Sequence, residues 1–167
     1  MVQSDYDREF YQMIEDIRSS LKRNKLVIFV GAGVSKNSNV PTWGQMVRVF
    51  AEKIGYPVER LSTNEYIRIP QYFYGMDDSD GHREYYETLR KIISPDAVPN
   101  ILNELIAKIH PKHIVTTNYD KLMDQVVSDY AIIRQDKDLF RAEAEHYLIK
   151  MHGDIDNIKD IVFKETD

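Results

Sequence analysis

Three short stretches hold the side chains whose types and spacing could do chemistry: Gly31-Ala32-Gly33-Val34-Ser35, Thr117-Asn118-Tyr119-Asp120 and His152-Gly153-Asp154. Gly31 and Gly33 let the backbone turn and approach a ligand with no Cβ in the way, and backbone N–H groups in such a turn bind phosphate oxygens. Asn118 carries a donor and an acceptor on one side chain, which suits it to fixing a water or a sugar hydroxyl. A histidine titrates near neutrality, so one at position 152 can act as a base toward a hydroxyl or water. Asp120 can stabilise a developing positive charge or orient a leaving group. Each has a structural alternative when taken singly. The glycines can form a tight turn with no ligand, Asn118 a turn, Asp120 the cap of a helix over 121–128, and His152 a satisfied loop position.

All three stretches leave the ends of apolar runs. Leu26 to Val30 is β-branched, aromatic and apolar on both faces, so it reads as a fully buried parallel strand at the centre of a sheet. His113 to Thr116 reads as a second strand, Ala131 to Arg134 as a third and 146–151 as a fourth, with Asp160 to Phe163 starting a fifth. Ligands of an open parallel sheet bind outside the carboxyl ends of its strands, so one crevice can collect all three loops. Lys36 stands where GxGxxG requires its third glycine, and no Gly-Lys-Ser/Thr follows, so a P-loop NTPase is a poor fit.

The remaining elements are helical. Phe10, Ile14, Ile17 and Leu21 share one face of a helix over 5–23, with Ser4 and Asp7 as a capping pair. After a polar loop at 35–41, Thr42 and Gln45 cap a helix that turns Trp43, Met46, Val47, Phe50 and Ile54 inward and stops at Gly55. A helix near 65–74 must hold Pro70 in its first turn or break there. A loop at 75–81 exposes Asp77, Asp78 and Asp80 to solvent. Tyr85, Leu89, Ile92 and Ile93 mark another helix, ended near Pro95, and a further one runs from Pro99 to His110. Leu122, Met123, Val126 and Val127 begin a helix after Asp120. His110 and His113 straddle Pro111 with no third ligand nearby, so a metal pair there is a poor reading.

Composition narrows the classes. The 167 residues amount to one domain, and 43% hydrophobic content supports a folded core. Net charge is −5 with no basic block, which gives nucleic-acid binding no support. No run approaches the roughly 20 apolar residues of a membrane span. The N-terminus lacks the pattern of a signal peptide. The absence of cysteine removes disulfides and thiolate zinc sites within these residues and agrees with a cytoplasmic location.

The trio GAGVS, TTNYD and HGD, in that order and each after a strand, resembles the Sir2 family, nearest to its bacterial defence-associated NAD-hydrolase branch, over residues 20–167. The resemblance implies an α/β, Rossmann-like three-layer fold with a mainly parallel sheet. It implies a single NAD-binding domain over 1–167; the helices near 56–110, which precede the second strand, are expected to form an insertion beside the sheet. By that resemblance Gly31, Ala32, Gly33, Ser35 and Thr117 bind the nucleotide, Asn118 and Asp120 contact the ribose or act in catalysis, and His152 is the base. Two departures matter. Thr42-Trp43-Gly44 follows Pro41 where protein-deacylating members carry Asp-Phe-Arg, and their four-cysteine zinc module is absent. Both push the expectation toward NAD⁺ cleavage to nicotinamide and ADP-ribose, with NAD as substrate and no metal, in an anti-phage defence effector. The expected partners are NAD⁺ and a second copy or partner domain; the alternative is a non-catalytic NAD or ADP-ribose module for sensing or assembly. The family's domain continues past its HG motif, so the C-terminal part of the domain is expected to be missing and the chain alone to be weakly active or inactive.

Overall fold

Four short apolar runs pair side by side in parallel: β1 (Val27–Val30), β2 (His113–Thr116), β3 (Ala131–Ile133) and β4 (Tyr147–Lys150), in the order β1-β2-β4-β3. The computed structural model describes residues 5–59, 61–93, 96–140 and 143–167. Val30 lies opposite Thr116, and Thr116 opposite Lys150, so three strands end in one row. The loops that follow therefore leave from a common edge. The fold is α/β and Rossmann-like.

β1 is not at the centre. Among the described residues it pairs only with β2, at the margin of the sheet, and Val27 and Phe29 are 50% and 62% exposed. An apolar run with no alternation specifies a strand but not its place in the order, and here only the Ile28 and Val30 side is covered. The expected fifth strand is also absent among the described residues. Residues 155–160 form a 3-10 turn, and the extended piece after it bonds to loops instead: Val162 N–H donates to the His152 carbonyl, and the Tyr119 hydroxyl to the Val162 carbonyl.

The helices are α1 (Asp5–Lys22), α2 (Ala32–Ser35), α3 (Trp43–Lys53), α4 (Thr63–Met76), α5 (Arg83–Ile92), α6 (Ile101–Ile109) and α7 (Asp136–Leu139). The Thr42–Gln45 capping box opens α3 as read, whereas the reading at Ser4 lies outside the described residues. The 35–41 segment is more ordered than a loop, since α2 passes directly into a 3-10 turn at Lys36–Ser38. A second capping box, Ser62–Glu65, starts α4, which then runs straight through Pro70. A mid-helix proline costs about 3 kcal/mol. Burial of Ile69 and Phe73 beside it contributes about 1.5–3 kcal/mol each and offsets that cost. Asp77 is not solvated: it is buried, accepting from the backbone of Ser79 and Tyr85 and so organising the start of α5. Residues 121–127 form turns rather than the expected helix.

Among the described residues two apolar clusters result. Helices α3, α4 and α5 gather around Phe50, whose ring lies 5.1 Å from Phe73, 5.3 Å from Tyr85 and 5.5 Å from Phe163. The other cluster lies on the sheet: Val30, Ile114 and Leu148 pack against Met123, Val127 and Tyr130, with Ile106 and Ala107 of α6. Tyr119, in the loop after β2, belongs to the Phe50 cluster, so the strand-end loops meet that cluster at a seam.

Candidate functional site

At that seam lies a cavity of about 410 Å³, within the usual range for small-molecule sites. The sheet side supplies Ala32, Ser35, Thr117, Asn118, Asp120 and His152. The helical side supplies an apolar wall that includes Trp43, Met46, Ile93 and Phe163, and Lys164 joins the lining. Six of the eight residues expected from sequence thus border one space. Gly31 and Gly33 flank Ala32 in the chain and are not themselves among the lining residues. Trp43 does two jobs, packing beside the helical cluster at the start of α3 and lining the cavity.

The loops are tied to one another by side chains. Thr116, the last residue of β2, donates its hydroxyl to the Val30 carbonyl at 2.7 Å and accepts the Asn118 N–H at 3.0 Å. Asn118 Nδ2 donates to the Gly31 carbonyl at 3.2 Å and to Ser35 Oγ at 2.9 Å. The Gly31 carbonyl can only accept, which fixes which end of the amide faces it. Both amide hydrogens are then used, and Oδ1 is the atom of Asn118 left to a ligand. It offers an acceptor, not the donor–acceptor pair read from sequence.

Asp120 is buried and its two oxygens are engaged. Oδ2 accepts from Ser35 Oγ at 2.8 Å, and Oδ1 accepts the Leu122 N–H at 3.0 Å. It orders the loop and holds Ser35. The His152 ring sits 6.4 Å from that of Tyr119, and among the described residues its imidazole has no hydrogen-bond partner. Burial pushes the Tyr119 phenol above its ordinary value, so it stays a neutral donor to Val162. Gly153 takes φ +74°, and its α-carbon passes so close to the Asp160 carbonyl that a Cβ would lie 2.8 Å from that oxygen. The 160–163 segment thereby clamps the loop that carries His152.

Below the cavity lies an ion cluster that sequence reading missed. Lys150, at the end of β4, is buried and donates to the Asp120 carbonyl at 2.6 Å and to Asp154 Oδ2 at 3.1 Å, with Asp124 Oδ2 at 3.4 Å. Arg134 bridges the same carboxylates, through Nε to Asp154 at 2.6 Å and Nη2 to Asp124 at 2.7 Å. Burial alone would raise the Asp154 carboxyl, but the Lys150 charge and the Arg134 hydrogen bond outweigh it and hold the pKa below the usual value. The signal was available: Leu148 and Lys150 share one face of a strand, and a lysine on a buried face requires partners. Asn100 was also missed. It caps α6 by accepting the Leu102 N–H, and its amide holds the Val34 carbonyl and Ser38 Oγ, each at 2.8 Å.

Comparison with known proteins finds relatives of the chain as a whole. Residues 112–167 match the SIR2-like domain family. The chain is 34% identical over 170 residues to defence-associated sirtuin 2 of Bacillus subtilis, which covers 96% of this chain and 17% of that protein. It is 24% identical over 156 residues to the NAD(+) hydrolase ThsA of Cytobacillus dafuensis, covering 90% of this chain and 31% of that one. An NAD-dependent protein deacetylase of Staphylococcus aureus (strain COL) is 30% identical over 113 residues, covering 64% of this chain and 42% of the relative. The chain thus spans 17% and 31% of the length of the first two relatives.

Proposed function

The chain belongs to the SIR2-like family, and from that premise we propose that it is the NAD⁺-cleaving module of a bacterial defence protein, releasing nicotinamide and ADP-ribose. The observation that carries the reading is the meeting of Asn118, His152 and the 31–35 loop around one cavity at the strand ends. Defence-associated and NAD(+) hydrolase relatives support it.

Water adds to the anomeric carbon of the nicotinamide ribose as the bond to the pyridinium nitrogen breaks. Nicotinamide leaves neutral, taking the bonding electron pair, and one proton is released. The leaving group is already cationic, so no general acid is required. The protein has to hold the ribose, place the water and take its proton. Asn118 Oδ1 is the acceptor for that water or a ribose hydroxyl, and His152 is the base. Ala32 and Ser35 border the place for the diphosphate, and the apolar wall from Trp43 to Phe163 shields the reacting centre from bulk water. Asp120 acts indirectly, through Ser35.

A second reading is a binding module for NAD or ADP-ribose without turnover. It draws on His152, whose ring has Tyr119 beside it but no hydrogen-bond partner among the described residues. Nicotinamide release by the full-length protein, measured beside calorimetric binding of ADP-ribose, separates the two. Release lost in both Asn118→Ala and His152→Ala supports cleavage. Binding with no release by the wild type under any activating condition leaves the second reading.

A further inference from the structure

We propose that Lys150 is a positioning residue whose ammonium locks the loop bearing Asn118 to the loop bearing His152. The proposal rests on the cleavage reading above for its kinetic consequence, and on geometry for its structural one. Lys150 is almost wholly buried, and its three hydrogens meet three acceptors from two loops: the Asp120 carbonyl at 2.6 Å, Asp124 at 3.4 Å and Asp154 at 3.1 Å. Asp120 passes the restraint upward to Ser35 at 2.8 Å, and Ser35 to Asn118 at 2.9 Å. Asp154 stands two residues after His152 and accepts the Asp156 N–H at 2.8 Å, capping the 3-10 turn that follows. One ammonium therefore holds both sides of the cavity floor.

Charge balance alone does not account for this arrangement. Arg134 already bridges Asp124 and Asp154, and buried ionic groups of this kind are often replaceable by apolar ones without loss of stability. What Arg134 does not reach is the Asp120 carbonyl. Among the described residues that contact is specific to Lys150, and it holds Asp120, which lines the cavity two residues after Asn118.

The test uses full-length protein in four forms: wild type, Lys150→Met, Lys150→Gln, and Lys150→Met with Asp124→Asn. The single Met change leaves two carboxylates against one guanidinium, and the double change restores neutrality. The double variant is expected to regain a melting temperature near wild type while kcat for nicotinamide release stays down by about 10²-fold and KM moves little, the pattern of a misplaced reacting group. Lys150→Gln, which retains a donor for the carbonyl, is expected to keep more turnover than Lys150→Met. In asparagine-labelled protein, the Asn118 side-chain amide signals of the Met variants are expected to shift. Recovery of kcat together with melting temperature, or equal loss in the Gln and Met variants, overturns the proposal. A wild type that releases no nicotinamide removes the cleavage reading by itself. The Asn118 signals then decide: displaced signals in the Met variants support the positioning role, and superposed signals refute it.

Discussion

Asn118 and Ser35 meet side chain to side chain at 2.9 Å, although 83 positions separate them in sequence. Ser35 spends its single hydrogen on Asp120 at 2.8 Å and receives one from Asn118. The amide of the β2 loop is thus oriented by a hydroxyl from the β1 loop, and a carboxylate holds that hydroxyl. Ser35→Ala leaves one oxygen of buried Asp120 without its donor, which costs about 1–3 kcal/mol. Thermal denaturation is expected to show a lowered midpoint, and nicotinamide release is expected to fall with it. A variant as stable and active as wild type would remove Ser35 from the chain of restraint.

His152→Ala removes the proposed base, and a positioned base typically contributes 10²–10⁴-fold, so release is expected to drop by roughly that factor. Asn118→Ala is expected to lower it by a comparable order through misplacement of water or ribose. Calorimetry with ADP-ribose is expected to show little change in either variant. The double variant is expected to lose less than the product of the two, because both groups serve one step.

The three motifs and their relation to strand ends were legible because local chemistry marks them: apolar β-branched runs, then glycine, asparagine or histidine at the exit. What was not legible depends on partners distant in sequence. The place of β1 in the sheet follows from strand pairing, which an unbroken apolar run does not encode. Pro70 inside α4 reads as a breaker until the burial of Ile69 and Phe73 is known. Asp77 looks like one more acid of a polar loop, and only the fold brings the Tyr85 N–H to it at 2.8 Å. Lys150 was open to inference from strand parity, but its partners Asp124 and Arg134 were not.

The ion cluster makes stability sensitive to acid. The folded pKa of Asp154 is depressed, so its contribution is fully present above the unfolded value of about 3.9 and is lost as pH falls through the lower folded value. Denaturation followed below about pH 4 is expected to show a flatter acid limb in Asp154→Asn than in wild type. The flattening is partial, because Glu65 is also held low, at about 2, by hydrogen bonds from Ser62 and Tyr56. Parallel acid limbs in the two proteins would contradict the assignment.

Two glycines separate structural need from ligand need. Gly153 takes φ +74°, and a Cβ there would stand 2.8 Å from the Asp160 carbonyl, so the loop bearing His152 can close against the 160–163 segment only without a side chain. Gly153→Ala is expected to cost about 1–3 kcal/mol or more, from backbone strain and forced separation, and to lower the melting temperature. Gly33 differs on both counts. It lies inside α2, its φ is ordinary for a side-chain-bearing residue, and, apart from its chain neighbours and the backbone of its own helix, no atom of the described residues lies within 4 Å of the position its Cβ would take. Alanine is the better helix former by about 1 kcal/mol, so Gly33→Ala is expected to leave the melting temperature unchanged or slightly raised. The open space beside it belongs to the loop expected to meet the nucleotide, and a methyl group there blocks close approach of backbone to phosphate. ADP-ribose affinity is therefore expected to fall in a protein that is no less stable. Unaltered affinity in that variant would mean that the backbone at Gly33 does not approach the ligand, leaving Ala32 and Ser35 as the contacts from this loop.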